Sequence, residues 1–483
     1  MSNNDFDFDF TVIGGGSGGY AAARTAHSLG LTTAVIDGAE ELGGLCILRG
    51  CMPSKTLIES ADRQLTLNRA SEFGLHAETT APSIQAIRDR KRRLIADFAS
   101  YRQGQLEDGR WSLYRGLAAF RDPHTVEILP RDGSASFTVR SRFFCIATGS
   151  ESNVPPVPGL AEAGFWTSDD ILDAETLPAS FIVLGGGAIA LEMAHYLNAM
   201  GRHVTIVQRS AQLLTGLDKE CSSVIRAAYK KRGIPSHCGT QLQEVTSSGG
   251  LKQVTFKDHH GTLHQLESAE ILLATGRRPA VNGLGLDQAQ VHLKHGKITV
   301  ENSMQTSQAH IFAAGDVCSP LDVVHLAIQQ GEIAARNARR LMDGDTGTLE
   351  QIDYRLRLFG VFSHPQVAAV GQSEEELRHA GVPFLAAEYP FDDHGKSMVM
   401  GETEGFVKLL AHRESGEILG GVCVGPHATE LIHEIAVAMH FHSTAADLAK
   451  VPHYHPTLSE IWTYPAEELA ESVGQESPSI ALT

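Results

Sequence analysis

FTVIGGGSGGYAAARTAHSLG, residues 10–30, is the stretch whose reading decides the fold. It opens on an apolar run of strand character. It continues with Gly14, Gly16 and Gly19 in G-x-G-x-x-G spacing and closes on an Ala-rich segment of helical character. The following LTTAVID reads as a second strand that ends at Asp37. Strand, glycine turn, helix, strand and carboxylate together form the pattern of a dinucleotide-binding βαβ unit. Gly14 permits the tight turn, Gly16 lets backbone N–H groups approach a pyrophosphate, and Gly19 packs helix on strand. The pyrophosphate then sits where the helix has unpaired N–H groups, and Asp37 accepts from a ribose hydroxyl.

The pattern recurs at FIVLGGGAIALEMAHYLNAMGRHVTIVQRS, residues 181–210. Gly185, Gly187 and Ala190 fill the glycine positions, alanine being an accepted third member. The strand HVTIVQ ends at Gln208 rather than at an acid, and Arg209 follows. A carboxylate there would repel a 2′-phosphate, whereas a guanidinium binds one. The site therefore leans towards NADP(H) over NAD(H). The alternative is a solvated Arg209 with the Gln208 amide serving NADH. Two such units imply two dinucleotides. One is expected to be a flavin, because two nicotinamides in one enzyme have no redox use.

FFCIATGS (143–150) and ILLATGRRP (271–279) both end a buried strand in Ala-Thr-Gly, as if each closed one nucleotide fold. They place Thr148 and Gly149 at the flavin site and Gly276 at the nicotinamide site. IFAAGDV brings Gly315 and Asp316 to the carboxyl end of a further strand, where ligands bind in such sheets. Asp316 is assigned to the ribityl chain; the alternative is an N-cap for the helical VVHLAIQQGEIAARNA.

GGLCILRGCMPSK, residues 43–55, holds Cys46 and Cys51 with four residues between them. Its Gly44 is assigned to the flavin site. Metal sites favour a tighter pair repeated elsewhere, and no second pair exists. Pro53 marks a helix start, so Cys51 lies near a helix N-terminus, where the dipole favours a thiolate. Four intervening residues can loop to disulfide range. Cys51 is read as the thiolate over the flavin and Cys46 as the outer thiol that exchanges with an external disulfide. Lys55 supplies a positive charge that would stabilise reduced flavin, with Glu192 as its partner. Such exchange needs a base. KVPHYHPTLSEIW offers His455 with Glu460 five residues on, able to hold one ring nitrogen. His453 shows no such partner.

The chain has 483 residues, enough for two to four domains. A formal net charge of −17 argues against nucleic acid as the main partner. The start, MSNNDFDFDF, lacks the basic region of a signal peptide. No apolar run approaches a membrane span, so a cytoplasmic location is expected. The seven cysteines do not form an extracellular disulfide framework; Cys145, Cys221, Cys238, Cys318 and Cys423 show no partner spacing. The 23 histidines show no metal spacing, and no metal is expected. Segment 62–120, with its basic run RDRKRR, reads as two long helices with a solvated face.

Taken in order, GGGSGG, GGLCILRGCMPSK, CIATGS, GGGAIALE, LLATGRRP, IFAAGDV, VFSHPQVAAVG and HPTLSE resemble the FAD-dependent pyridine nucleotide-disulfide oxidoreductases. That group includes dihydrolipoamide dehydrogenase, glutathione reductase and mercuric reductase. The resemblance implies an α/β fold with two Rossmann-like domains and a C-terminal α+β dimerisation domain. The expected divisions are 1–153 (FAD, first part), 154–282 (NAD(P)), 283–347 (FAD, second part) and 348–483 (dimerisation). It also implies a homodimer in which His455 and Glu460 act on the cysteines of the partner chain. The substrate would be a small disulfide or dithiol, or a lipoyl-carrier protein. CMPSK and HPTLSE look most like dihydrolipoamide dehydrogenase. Arg209 matches the first of the two arginines that glutathione reductases use for the 2′-phosphate, and Thr215 stands at the second. Mercuric reductases carry C-terminal cysteines, which the tail AEELAESVGQESPSIALT lacks. The readings kept beside the lipoamide type are an NADPH-dependent reductase of another small disulfide and a flavin electron-transfer subunit.

Overall fold

The computed structural model describes residues 5–77 and 81–474. Its first sheet is built outward from strand Phe8–Ile13, which pairs in parallel with Thr33–Asp37 on one side and Phe137–Ile146 on the other. Ser112–Asp122 extends the sheet beyond Thr33–Asp37. Ile311–Ala313, arriving from far along the chain, pairs in parallel with Phe137–Ile146. Thr125–Pro130 returns antiparallel between Ser112–Asp122 and Phe137–Ile146. The central strands are buried on both faces, which is why they read as continuous apolar runs rather than alternating ones. Helix Ser17–Ser28 packs against helix Val324–Met342, so the two sequence-distant parts of this unit share one core of Phe10, Val12, Val35, Phe312 and Ala334. Each such large apolar side chain contributes about 1.5–3 kcal/mol by leaving water.

The second unit has a parallel sheet in the order Glu270–Leu273, Ser180–Leu184, His203–Gln208, Ser236–Cys238. An antiparallel trio, Gln241–Ser248, Leu251–Lys257 and Leu263–Ser268, is attached. Ser150–Ser152 and Arg277–Pro279, the strands by which the chain enters and leaves this unit, pair antiparallel with each other. The expected divisions after 153 and 282 lie just past this ribbon. The third unit is a five-stranded antiparallel sheet, in the order Leu358–Val361, Gln366–Gly371, Ile418–Gly425, Phe406–His412, Phe384–Pro390, with helix Ala428–His440 packed on it. The architecture is the α/β class with two dinucleotide-binding units and an α+β C-terminal unit.

One expectation fails. Segment 62–120 is not two long helices: helix Cys51–Asn68 ends early, Ile84–Glu107 follows, and Ser112–Asp122 is a strand fixed by its register with Ala34–Asp37. Its basic run is not uniformly solvated either. Arg88 and Lys91 are buried; Arg88 pairs with Glu175 at 2.6 Å and Lys91 with Asp173 at 2.8 Å. Three residues apart, they share one helix face, and that face meets acids of the second unit. Among the described residues no helix is long and apolar enough to cross a membrane. Residues 475–483, half of the cysteine-free tail, lie outside the described residues.

Candidate active site

The cysteines sit on two abutting helices. Gly44–Leu48 carries Cys46, and Cys51–Asn68 begins at Cys51 itself, with no side chain capping its N-terminus. Gly50 makes this possible. A Cβ there would lie 2.9 Å from the Leu45 carbonyl oxygen and 3.2 Å from Cys46 Cα, so any larger residue would push the helices apart. Pro53, in the first turn, costs the helix no hydrogen bond. Both cysteines are half-buried free thiols. The Cys46 S–H donates to the Cys51 sulfur, and this bond is the main reason that the Cys51 thiol is lowered to about 7; burial opposes it and the Lys55 charge assists. The same bond, with burial, pushes the Cys46 thiol far up. Ionisation is thus favoured at the helix end, on Cys51, and disfavoured at its neighbour.

In the reduced protein, the thiolate absorbance near 240 nm should show a single thiol titrating with a midpoint near 7. Burial raises Cys145, Cys221, Cys238, Cys318 and Cys423, which leaves that window clear. Cys46→Ala removes the donor and should move the midpoint up by about one unit or more. An unmoved midpoint would assign the effect to Lys55 and the helix end alone.

Lys55, one turn on, places Nζ 2.9 and 2.8 Å from the two oxygens of Glu192. That carboxylate is 4% exposed, and its Oε1 also accepts from the Phe362 backbone N–H at 3.1 Å. The Lys55 ammonium lies 4.8 Å from the centre of the Phe362 ring. One residue from each of the three units therefore meets beside the cysteines.

A cavity of about 490 Å³ runs past Cys46 and Cys51. Gly14, Gly16, Asp37 and Gly44 line it, as do Thr148, Gly149, Gly315 and Asp316; Gly19 lies beneath it in the helix. Gly14 has φ +104°, and a Cβ there would sit 2.4 Å from the Ala147 carbonyl oxygen. The helix Ser17–Ser28 starts at Gly16 with no side-chain cap, so its first N–H groups are open to an anion. Asp37 accepts from the backbone N–H groups of Gly15 (2.8 Å) and Ala39 (2.7 Å), which fixes its carboxylate at the rim. Asp316 accepts from the Ser150 hydroxyl at 2.5 Å and does not cap the following helix, whose N-cap is Val323.

In the second unit, helix Ala188–Ala199 likewise starts at an uncapped glycine, Gly187, with Gly185 in the turn before it and Ala190 fully buried behind. Gln208 is buried, its amide directed to the Gln212 carbonyl at 3.4 Å. Arg209 is exposed, and among the described residues its guanidinium pairs with no side chain. Gly276 sits at the return crossing, where its carbonyl accepts from the Asn153 N–H at 3.0 Å.

His455 and Glu460 are in contact, Nδ1 to Oε2 at 3.1 Å, with the imidazole 80% exposed and the carboxylate 12% exposed. Among the described residues, no hydrogen bond joins His455 to either cysteine of its own chain. His453 does have a carboxylate: its Nε2 lies 2.6 Å from Glu434 and its Nδ1 2.9 Å from the Val451 carbonyl. With both nitrogens engaged it is a structural histidine. The missing signal is that Glu434 lies on a separate helix.

Residues 8–331 match the model of the pyridine nucleotide-disulphide oxidoreductases, and residues 359–466 match the dimerisation domain of the same family. The chain belongs to this family. It is 32% identical over 442 residues to a dihydrolipoyl dehydrogenase of Bacillus subtilis, covering 89% of this chain and 91% of that one. It is 34% identical over 434 residues to the dihydrolipoyl dehydrogenase of Mycobacterium bovis, with 89% and 91% covered. The solved structure of LpdA from Mycobacterium tuberculosis superposes with a TM-score of 0.84 at 29% identity, covering 95% of this chain and 99% of that one. The Cu(II) complex of the flavoprotein disulfide reductase RclA from Escherichia coli, at 23% identity and TM-score 0.82 with 95% and 99% covered, shares the fold. The chain is thus an FAD-dependent disulfide oxidoreductase close to the lipoamide dehydrogenases. The cavity fits the flavin dinucleotide: an uncapped helix end for the pyrophosphate, carboxylates at Asp37 and Asp316, and the thiol pair against one wall.

Sequence reasoning did not single out Gly50, Ser150, Phe362, His394 or the cavity-lining Gly116–Ala118. Only Gly116, a glycine inside an apolar strand, carried a local signal.

Proposed function

We propose that the protein moves an electron pair between a lipoamide-type dithiol/disulfide and NADP(H), as a homodimer whose sites are shared between chains. What carries this reading is the Cys46–Cys51 pair on the cavity wall, one sulfur held as thiolate and the other as thiol. When bound, FAD passes the pair between the nicotinamide and these sulfurs. In the direction of dithiol oxidation, His455 of one chain takes the proton of the incoming thiol. The thiolate so formed attacks Cys46 in the Cys46–Cys51 disulfide, and Cys51 leaves into the helix end and the field of Lys55. His455 hands that proton to the departing Cys46 sulfur and takes the proton of the second substrate thiol, whose sulfur displaces Cys46 and closes the substrate disulfide. Glu460 keeps the imidazole turned and supports its positive charge. The printed names of the relatives support a lipoyl dithiol, free or on a carrier protein.

Arg209 supports NADP(H): it is a free guanidinium one residue past the strand end where NAD sites carry an acid. Arg209→Ala is expected to raise KM for NADPH about 10–100-fold while KM for NADH changes less than about twofold. Equal changes would overturn the preference. The same residue favours a second reading, an NADPH-driven reductase of another small disulfide. Anaerobic mixing of oxidised enzyme with dihydrolipoamide separates the two. Rapid growth of long-wavelength absorbance supports lipoamide; its appearance only on adding NADPH supports the second reading.

A further inference from the structure

His394 is 0% exposed, and its Nδ1 lies 2.8 Å from the hydroxyl of Ser397, which is also buried. Its Nε2 makes no hydrogen bond and sits 3.4 Å from Glu460 Oε1, the carboxylate oxygen turned away from His455. A buried ring nitrogen left without a partner is costly, and Glu460 Oε1 stands 3.4 Å from this one. With the Ser397 hydroxyl as donor to Nδ1, the tautomer we assign, the ring proton lies on Nε2, facing the carboxylate. Burial also pushes the imidazole towards its neutral form, against the pull of Glu460, so a neutral donor rather than a second cation stands behind the carboxylate. Phe391 and Tyr464, their ring centres 6.4 and 6.5 Å from that of the imidazole, wall it in.

From this arrangement we infer that His394 is a positioning residue for the base: with Nδ1 accepting from Ser397, its Nε2–H closes on Glu460 Oε1 in the working enzyme, so that Oε2 stays on His455. A carboxylate held at one oxygen only could rotate about its last bond and leave the imidazole free to turn. The inference rests on the proposed role of His455 and Glu460.

His394→Met keeps the bulk and removes the donor; His394→Gln restores an N–H at nearly the same reach. Anaerobic stopped-flow with dihydrolipoamide should show the Met variant about 10–30-fold slower in the dithiol step, with an enlarged solvent deuterium isotope effect, because proton transfer becomes limiting. The Gln variant should return to within about threefold of wild type. Reduction of the bound flavin by NADPH should be unchanged in both, which shows that both are folded. A Met variant with the wild-type dithiol rate, or a Gln variant as slow as Met, would overturn the role of His394. His455→Gln run alongside separates the two levels. If it too leaves the dithiol step unchanged, the reading of His455 itself fails; if it is impaired while His394→Met is not, only the inference about His394 fails.

Discussion

Cys46→Ser is expected to lower disulfide turnover by on the order of 10⁴-fold or more, while bleaching of the flavin by the nicotinamide keeps its rate within about threefold. The split follows from the positions of the two sulfurs. Cys46 lies on the short helix Gly44–Leu48, whereas Cys51 begins the long helix and shares its first turn with Lys55. A serine hydroxyl at position 46 still donates to Cys51, so the thiolate next to the cavity survives. It offers no sulfur for an external thiol to attack, so exchange stops at its first step. The measurement is a steady-state assay with dihydrolipoamide or lipoamide beside stopped-flow reduction of the same preparation. Turnover that persists would remove Cys46 from the exchange. Loss of both half-reactions would mean that the substitution disturbed the cavity rather than the chemistry.

The two glycine turns, the cysteine pair and the His455–Glu460 contact could all be read from the chain because each is local. A G-x-G-x-x-G turn is complete within six residues, the thiols are five apart, and the base meets its carboxylate five residues on. Lys55 and Glu192 are 137 positions apart and were paired only because each occupies a recognisable place in its own motif. What stayed hidden depends on contacts between elements without such markers. Arg88 and Lys91 look like any exposed basic run until helix Ile84–Glu107 is docked against Asp173 and Glu175. Strand Ser112–Asp122 shows no clean alternation of apolar and polar residues in its sequence, and is held as a strand by the register of its neighbour. Gly50 reads as one glycine among 47; its necessity appears only when Leu45 and Cys46 are found against it. His394 lies 66 residues before the carboxylate it backs, in a stretch with no pattern of its own.

Mixing two inactive chains is expected to restore activity. His455→Gln alone should slow dithiol oxidation by about 10²–10⁴-fold, the usual worth of a positioned base, and Cys46→Ser alone should abolish it. If each site joins the cysteines of one chain to the histidine of the other, a hybrid dimer of the two variants has one site with both lesions and one with neither. A hybrid isolated by two different tags should then carry about half the activity of the wild-type dimer. The exposure of the third unit is what motivates this arrangement. His455 is largely open in a single chain, Tyr454 next to it in the chain is exposed, and residues 359–466 match the family's dimerisation domain. An imidazole in water, beside one exposed tyrosine ring, has neither the desolvation nor the neighbours that a base acting on thiols needs. Burying that ring and the imidazole against a second chain would supply both. A hybrid no more active than its parents would place base and cysteines in the same chain, because a site confined to one chain cannot be repaired by a partner. Recovery to about half would fix both the stoichiometry of the dimer and the chain that supplies the proton acceptor.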